Sequence, residues 1–436
     1  MPGTVAIETH GCKLNQADSA VLARQFGRAG YRLVESKVEA DIIVVNTCTV
    51  TSTADSKARQ ALRAARRANP DAIVVAAGCY PQRAADELRR MPEVTLVVGN
   101  SEKPELAALA IAELTLRNGD SVPSPVPSPI EVEGVSAGIL RRSRAMVKIQ
   151  EGCDQVCAYC IVPKVRGRER SIPPDELVSN VRQLVTAGFK EVALTGTQLG
   201  TYGFDLDGTN LVRLIAGILE NTALPRLRVS SLQAHEISPE LLELWRDPRL
   251  CPHFHVPLQS GCNTTLKAMR RRYDIATFRR AVELIRENVP NVSITTDVIV
   301  GFPGEDAHAH AESLTFASEM RFTDIHVFPY SPRPGTSAHH FANQVQPEEK
   351  RRRTTQMNSM ASEAFRRYRN RILGQSRPVL WETAHYDSEH GAMRWSGLTD
   401  NYVRVNAITT NDLDNLITDA RLIRLEGKYV LATTSD

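Results

Sequence analysis

The apolar positions near the N-terminus gather into three short runs, TVAIETHGC, ADIIVVNTC and AIVVAAGC, each a strand pattern ending one to three residues before a cysteine. Between them, near residues 17–29 and 53–68, charged residues interleave with alanine and leucine at helical spacing, and a further strand pattern, VTLVVGN, follows. This alternation predicts a parallel sheet with crossover helices, whose strands present their carboxyl ends on one edge. Cys12, Cys48 and Cys79 are then expected to meet at that edge, although 36 and 31 positions separate them.

The stretch NGDSVPSPVPSPIEVEG, residues 118–134, is rich in Pro and Ser and has no sustained period. It reads as a linker, taken as 118–138, that closes a first domain over 1–117. Strand patterns then recur with helical stretches between them: AMVKIQ, EVALTGTQ, LRVSSL, HFHVPLQ, ITTDVIVGF and IHVFPY. Six such units predict an open, partial (β/α)6 barrel over 139–372, with its chemistry at the carboxyl ends of the strands. From about 347 to 373 a basic helical stretch carries KRRR and RRYRNR. Beyond it RPVLWE, MRWSGL, NYVRVNA, LITDARLIRLEG and KYVLA predict a small β-barrel over 373–436. The expected fold class is α/β, with a parallel-sheet domain, a partial barrel and a terminal β-barrel in series.

A chain of 436 residues exceeds one hydrophobic core, in keeping with several domains. Its 24% charged and 42% apolar residues are ordinary for globular protein. No apolar run approaches the roughly 18 residues that would cross a bilayer, so no membrane partner is expected. The opening MPGTVAIETHGC lacks the basic and apolar regions of a secretion signal, which predicts a cytoplasmic protein. Eight cysteines in that reducing compartment point to metal or catalysis rather than disulfides.

The net charge of +3 says little about a nucleic-acid partner, but the arginines cluster. Runs occur at Arg141, Arg142 and Arg144, at Arg166, Arg168 and Arg170, at Arg270 to Arg272, and at Lys350 to Arg353. Forked guanidinium groups suit phosphates. Near the C-terminus Arg394, Trp395, Tyr402 and Arg404 interleave basic and aromatic groups, a pattern suited to single-stranded RNA. Arg166, Arg168, Arg394, Trp395, Tyr402 and Arg404 are the candidate RNA contacts.

The densest chemistry lies in EGCDQVCAYC, with Cys153, Cys157 and Cys160 directly after the first barrel strand. Cubane iron-sulfur clusters normally take four thiolates, so three leave one iron open, as catalytic metal sites are left open to substrate. A zinc knuckle with a distant fourth ligand is the competing reading. Cys251 and Cys262 flank PHFHVPLQSG, but His253 and His255 share one strand face while each cysteine lies beyond its end. Buried thiols and hydrogen-bonded histidines account for that stretch better than a metal.

The spacing Cys-x3-Cys-x2-Cys, with Tyr159 before the last cysteine, resembles the radical S-adenosylmethionine superfamily. More of the chain, in HGCKLNQADS, VVNTCTVTSTADSKARQ, AAGCYPQR, GCDQVCAYCIVPKVRGRERS, LTGTQLGTYG, HFHVPLQSGCNTTLKAMRRRY, TDVIVGFPGE and VFPYSPRPGT, is similar to the methylthiotransferases. The resemblance implies two 4Fe-4S clusters, an auxiliary one on Cys12, Cys48 and Cys79 and a radical-forming one on Cys153, Cys157 and Cys160. It implies S-adenosyl-L-methionine as source of both methyl group and radical, a C–H bond replaced by C–S–CH3, a central radical S-adenosylmethionine barrel and a terminal RNA-binding barrel of TRAM type. Tyr159 would lie beside the cofactor's adenine, with Gly196, Thr197, Ser230 and Asp297 as further cofactor contacts.

GCKLNQ resembles the branch acting on threonylcarbamoyladenosine beside the anticodon, at position 37 of transfer RNA. Isopentenyladenosine, a ribosomal-protein side chain, or a non-catalytic zinc-stabilised RNA-binding protein are the alternatives. Implied partners are the tRNA anticodon loop, an electron donor such as flavodoxin or ferredoxin, and a sulfur donor. No coiled-coil pattern is present, so a monomer is the expected state.

Overall fold

A computed structural model describes residues 3–119 and 143–434. All but residues 118 and 119 of the expected linker, together with Arg141 and Arg142, lie outside the described residues. The N-terminal domain is a parallel sheet of β1 (Thr4–Thr9), β2 (Arg32–Leu33), β3 (Ile42–Thr47), β4 (Ile73–Gly78) and β5 (Leu96–Val98), ordered β2-β1-β3-β4-β5. Helices α1 (Lys13–Arg28) and α4 (Leu106–Arg117) cover one face, and α2 (Ser52–Ala68) and α3 (Cys79–Arg89) cover the other. Every residue of β3 and β4 is buried, as expected for runs such as IIVV that meet helices on both faces. Thr9 pairs with Asn46 and Thr47 with Gly78, so the carboxyl ends of β1, β3 and β4 lie level. The two-residue β2 and the helices α3 and α4 are elements the hydrophobic pattern did not announce.

The central region opens with β6 (Arg144–Lys148), the small ribbon β7 (Gln150–Glu151) and β8 (Arg170–Ser171), and α5 (Val162–Arg166) in the loop between them. Five further strands follow, β9 (Glu191–Thr195), β10 (Arg226–Val229), β11 (His253–His255), β12 (Ser293–Val300) and β13 (Asp324–Pro329). They form two parallel three-stranded sheets, β10-β9-β6 and β11-β12-β13. The sheets meet where Leu227 bridges Leu250 and the Leu232 amide donates to the His255 carbonyl at 3.0 Å. The result is a six-stranded arc with an open seam between β6 and β13.

Strand alternation gives the arc two unlike faces. Val147, Val192, Leu194, Leu227, Val229, Phe254, Ile294, Val298 and Ile325 point outward into one core shared with the surrounding helices. The intervening positions, Lys148, Glu191, Arg226, Arg228, His253, His255, Thr295, Asp297 and His326, are polar and face the lumen. The polar lumen distinguishes this arc from the closed type of barrel, whose interior is filled by branched aliphatic layers.

After α6 (Pro347–Ile372), strands β14 (Ser376–Asp387), β15 (Ala392–Thr399), β16 (Arg404–Thr409), β17 (Ile417–Glu426) and β18 (Tyr429–Thr434) close into a barrel ordered β14-β15-β16-β18-β17 around Trp381, Val405 and Leu422. This barrel caps the N-terminal end of the central arc. Arg226 donates to the carbonyls of Leu398 and Thr399 at 3.2 and 3.0 Å, and Arg228 to that of Asp400 at 3.0 Å. Both guanidiniums also pair with the fully buried Glu191.

The N-terminal domain lies along the open seam through two groups of buried ion pairs. On one side Asp18 of α1 accepts from Lys103, Lys148 and Arg166 at 2.7, 2.8 and 2.9 Å, and Arg166 also pairs with Glu151 at 2.6 Å. On the other, Asp55 of α2 pairs with Arg83 at 2.8 Å and with Arg333, in the loop after β13, at 2.7 Å. Burial alone would raise the Asp18 carboxyl, but the three cations hold it well below the usual carboxylate range. With the folded value depressed, this contribution to stability is complete above the ordinary Asp pKa of about 3.9 and is lost as pH falls towards the folded value. Asp18→Ala, which leaves three buried cations facing one another, is expected to cost about 3–5 kcal/mol. Denaturant titration at pH 7 measures that cost, and the acid-limb midpoint of the variant should be less pH-dependent than that of the parent.

Candidate functional site

Turns after the level ends of β1, β3 and β4 carry Cys12, Cys48 and Cys79. Gly11 adopts φ +107°, and a Cβ there would lie 2.6 Å from Cys48 Cβ, so only glycine allows the approach. Asn15 Nδ2 ties the turns together by donating to the carbonyls of His10 and Thr47 at 2.7 and 3.0 Å. The second set leaves β7 through Gly152, at φ +81°, where any Cβ would run into the Arg168 carbonyl. Its loop is strapped down by the Cys153 amide donating to Gly167 O at 3.1 Å and the Ala158 amide to Met269 O at 3.0 Å.

The two sets approach across the domain boundary. Cys79 packs with Ile161 and Val165, and Asn100 Nδ2 donates to both Cys79 Sγ at 3.4 Å and Val165 O at 2.7 Å. Arg166 anchors the same junction through Asn15 and Asp18. On the far side Arg271 Nη1 reaches Cys157 Sγ at 3.4 Å while its Nη2 donates to Gln233 at 2.8 Å.

All six cysteines are free. Burial and the charge of neighbouring sulfurs push Cys48 up to about 11, and burial pushes Cys153 to about 11 and Cys160 to about 12. Burial thus disfavours a bare thiolate at Cys48, Cys153 and Cys160, and a bound cation would be what lets them ionise. The described groups whose three ligand atoms all lie within 4.8 Å of one another are His255, Asp297 and His326, and Asp387, Glu389 and His390. Neither cysteine trio is that tight.

At the rim beside Cys153, Gln150 Oε1 accepts from the Thr197 and Gln198 amides at 2.9 and 3.0 Å, and a Cβ on Gly196 would press on Gln150 at 3.0 Å. The buried Thr197 hydroxyl and the Gln155 amide nitrogen have no partner, polar atoms that a bound polar cofactor would satisfy. Tyr159 packs edge-on against Phe302, ring centres 6.4 Å apart, on the same rim. Glu236, which accepts from the Gln233 amide at 2.8 Å, is pushed up to about 6 by burial. Ser230 directly follows β10 beside Lys13, its Oγ 3.5 Å from the ammonium. Asp297 lies three residues inside the end of β12, 3.2 Å from His255 Nε2 and 3.3 Å from His326 Nδ1, and these contacts hold it low despite burial.

Cys251 and Cys262 are buried thiols, and His253 and His255 each contact the Thr295 hydroxyl at 3.0 Å, while His255 also belongs to the close group with Asp297 and His326.

Three of the expected RNA contacts are corrected. Arg166 is buried between Asp18 and Glu151, both charges spent inside the protein. Trp395 lies in the core of the terminal barrel with its indole donating to Asn411 O at 3.2 Å. Tyr402, at φ +70°, turns inward and stacks on His253 with ring centres 4.2 Å apart. Arg168 is 89% exposed, Arg404 is 44% exposed beside Glu382, and Arg394 is engaged by Asp387 and Glu426. Arg271, read from sequence as one of a basic run, is instead a contact of the cysteine loop; Arg270 and Arg272 stay exposed.

Residues 147–317 match the radical SAM superfamily and residues 4–99 the uncharacterized protein family UPF0004. A threonylcarbamoyladenosine tRNA methylthiotransferase of Bacillus subtilis is 35% identical over 98% of this chain and 96% of its own length. One from Aquifex aeolicus is 41% identical over 77% of this chain and 82% of its length. A tRNA-2-methylthio-N(6)-dimethylallyladenosine synthase of Clostridium tetani is 33% identical over 98% and 96%. Among solved structures, a radical S-adenosylmethionine methyltransferase from Kitasatospora setae superposes with a TM-score of 0.56 at 15% identity, over 78% of this chain and 77% of the other, a likeness of fold. The chain belongs to the radical S-adenosylmethionine tRNA methylthiotransferases. No described helix is long and apolar enough to cross a membrane.

Gly11→Ala is expected to strain the β1 turn by about 1–3 kcal/mol and to displace Cys48. In the metal-free protein this should appear as faster reaction of the buried Cys48 with a thiol reagent, and an unchanged rate would show that the turn tolerates a side chain.

Proposed function

We propose that this protein converts N6-threonylcarbamoyladenosine at position 37 of transfer RNA into its 2-methylthio derivative. Cys12, Cys48 and Cys79 hold one 4Fe-4S cluster and Cys153, Cys157 and Cys160 a second, each with one iron free of protein ligands. Together with S-adenosylmethionine these groups supply the radical and sulfur chemistry that replaces a C–H bond by C–S–CH3. Residues 1–117 act as the auxiliary-cluster domain, 139–372 as the radical domain and 373–436 as the RNA-binding barrel.

The chain's own residues prepare the site. Asn100 and Arg166 hold the two cysteine loops in register, Arg271 neutralises sulfur charge at Cys157, and Tyr159, Gly196 and Thr197 contact the cofactor. Tyr402 closes the lumen from below, so a base entering from the rim meets a walled chamber shielded from water. The single observation that carries the reading is the packing of Cys79, from the first three-cysteine set, on Ile161 and Val165, which directly follow Cys160 of the second. Arg168 and Arg404 contact RNA phosphates. A cytoplasmic monomer that draws electrons from a flavodoxin or ferredoxin, and sulfur from a separate donor, completes the proposal.

Nucleoside mass spectrometry of tRNA from cells with and without the gene tests the reading directly. The expected result is loss of the methylthio group from threonylcarbamoyladenosine; loss from isopentenyladenosine instead would transfer the assignment to that branch. Anaerobically reconstituted protein should hold about eight irons, two clusters of four. The variant with Cys153, Cys157 and Cys160 all changed to Ala should retain about half of them and cleave no S-adenosylmethionine. Affinity for tRNA should fall with log salt at roughly 0.7–0.9 per neutralised phosphate, with Arg168→Ala lowering that slope by about one contact.

A further inference from the structure

The first residue after Cys12 is Lys13, and its side chain leaves the N-terminal domain through the seam and enters the lumen. Its ammonium lies 3.5 Å from Ser230 Oγ and 5.7 Å from the centre of the Tyr402 ring. Among the described residues no carboxylate forms an ion pair with it, whereas the other cations of the lumen are all engaged. Arg226 and Arg228 pair with Glu191, Arg144 with Glu382, and Lys148 with Asp18 and Glu151. The ion pairs of Arg144, Arg226, Arg228 and Arg404 use only Glu191 and Glu382, and the lumen's other carboxylate, Asp297, is engaged by His255 and His326, which leaves Lys13 without a partner carboxylate among the described residues.

A lysine drawn out of water without a counter-ion is costly, and such groups are kept paired or meet a ligand. The group that completes this one must be an anion small enough to enter from the rim. Rigid neighbours fix where it binds: Tyr402 is held by its stack on His253, and Ser230 by its amide, which donates to Leu194 O at 3.1 Å. The threonylcarbamoyl group ends in a carboxylate and carries a hydroxyl, whereas an isopentenyl group has neither.

We propose that Lys13, seated against Ser230, binds the carboxylate of the substrate's threonyl group and is the side chain by which this enzyme distinguishes an acidic N6 substituent from an apolar one. The proposal rests on threonylcarbamoyladenosine being the substrate. The α-carboxylate of S-adenosylmethionine has the same chemistry, so the test separates the two sources.

Full-length reconstituted protein is titrated with anticodon stem-loops bearing threonylcarbamoyladenosine or its carboxyl methyl ester, read by fluorescence anisotropy, and cofactor binding is measured separately by equilibrium dialysis. The parent should bind the free acid at least about tenfold more tightly than the ester, in line with a charge-assisted hydrogen bond. Lys13→Met should bring that ratio to about one by weakening the acid alone, and Lys13→Arg should keep most of it. Iron content confirms that each variant retains both clusters, and Lys13→Gln replaces the methionine variant should the latter lose iron.

A Lys13→Met protein that still prefers the acid as strongly as the parent overturns the proposal. So does a variant with weakened S-adenosylmethionine binding and an unchanged acid-to-ester ratio, because the carboxylate is then the cofactor's. A parent enzyme that leaves threonylcarbamoyladenosine unmodified in the mass spectrometric assay sinks the functional reading itself, a failure visible before any variant is made.

Discussion

The site depends on how an α/β sheet is fixed against an open barrel, and two buried carboxylates do this. Asp18 gathers cations from its own domain and from both ends of the first barrel segment, and Asp55 takes Arg333 from beyond the last barrel strand. Buried ion pairs contribute little net stability, because desolvation offsets most of their Coulomb energy, but breaking one is expensive. Such contacts therefore act as registration pins: any other docking of the two domains leaves unpaired charge in a dry interface. Both pins lie close to cysteines. Arg333 also donates to Thr49, next to Cys48, and Arg166 ends the short helix that follows Cys160. Orientation of the domains and separation of the two sulfur sets are thus one constraint.

The lumen follows from a second constraint, the two-residue period of a strand. Aliphatic side chains directed outward bind the helices to the arc, which leaves every alternate position free to be polar. Those positions are charged at the bottom, where Glu191 and its arginines meet backbone carbonyls of the terminal barrel, and give way towards the rim to the amides of Gln150, Gln198 and Gln233, flanked by Glu236 and Arg271. Sealing the bottom with a folded domain leaves the rim, where the cysteine loops lie, as the way in.

That arrangement explains why the aromatic residues of the terminal barrel resisted a reading by composition. An Arg-Trp or Tyr-x-Arg pattern on a strand reports exposure every second residue, but not what covers the exposed face. Trp395 faces the barrel's own core and Tyr402 faces a different domain, and neither fact is encoded within ten residues of either position. Arg166 failed for a similar reason. Its helix is short, and the carboxylates that absorb it come from residues 18 and 151.

Much was nonetheless legible. Local hydrophobic period determined the strands of both α/β regions, and because parallel strands deliver their carboxyl ends to one edge, it also determined that cysteines spaced 36 and 31 positions apart would converge. The spacing of Cys153, Cys157 and Cys160 needed no structure at all, since a loop of eight residues brings its own ligands together. Only the tertiary structure decided that Cys79 packs on the segment after Cys160, that Arg271 rather than an RNA phosphate meets Cys157, and that Lys13 reaches a chamber built by two other domains. Periodicity is a property of neighbours along the chain, whereas burial of charge is settled by partners hundreds of residues away, and the cost of leaving such a charge unpaired selects the arrangement.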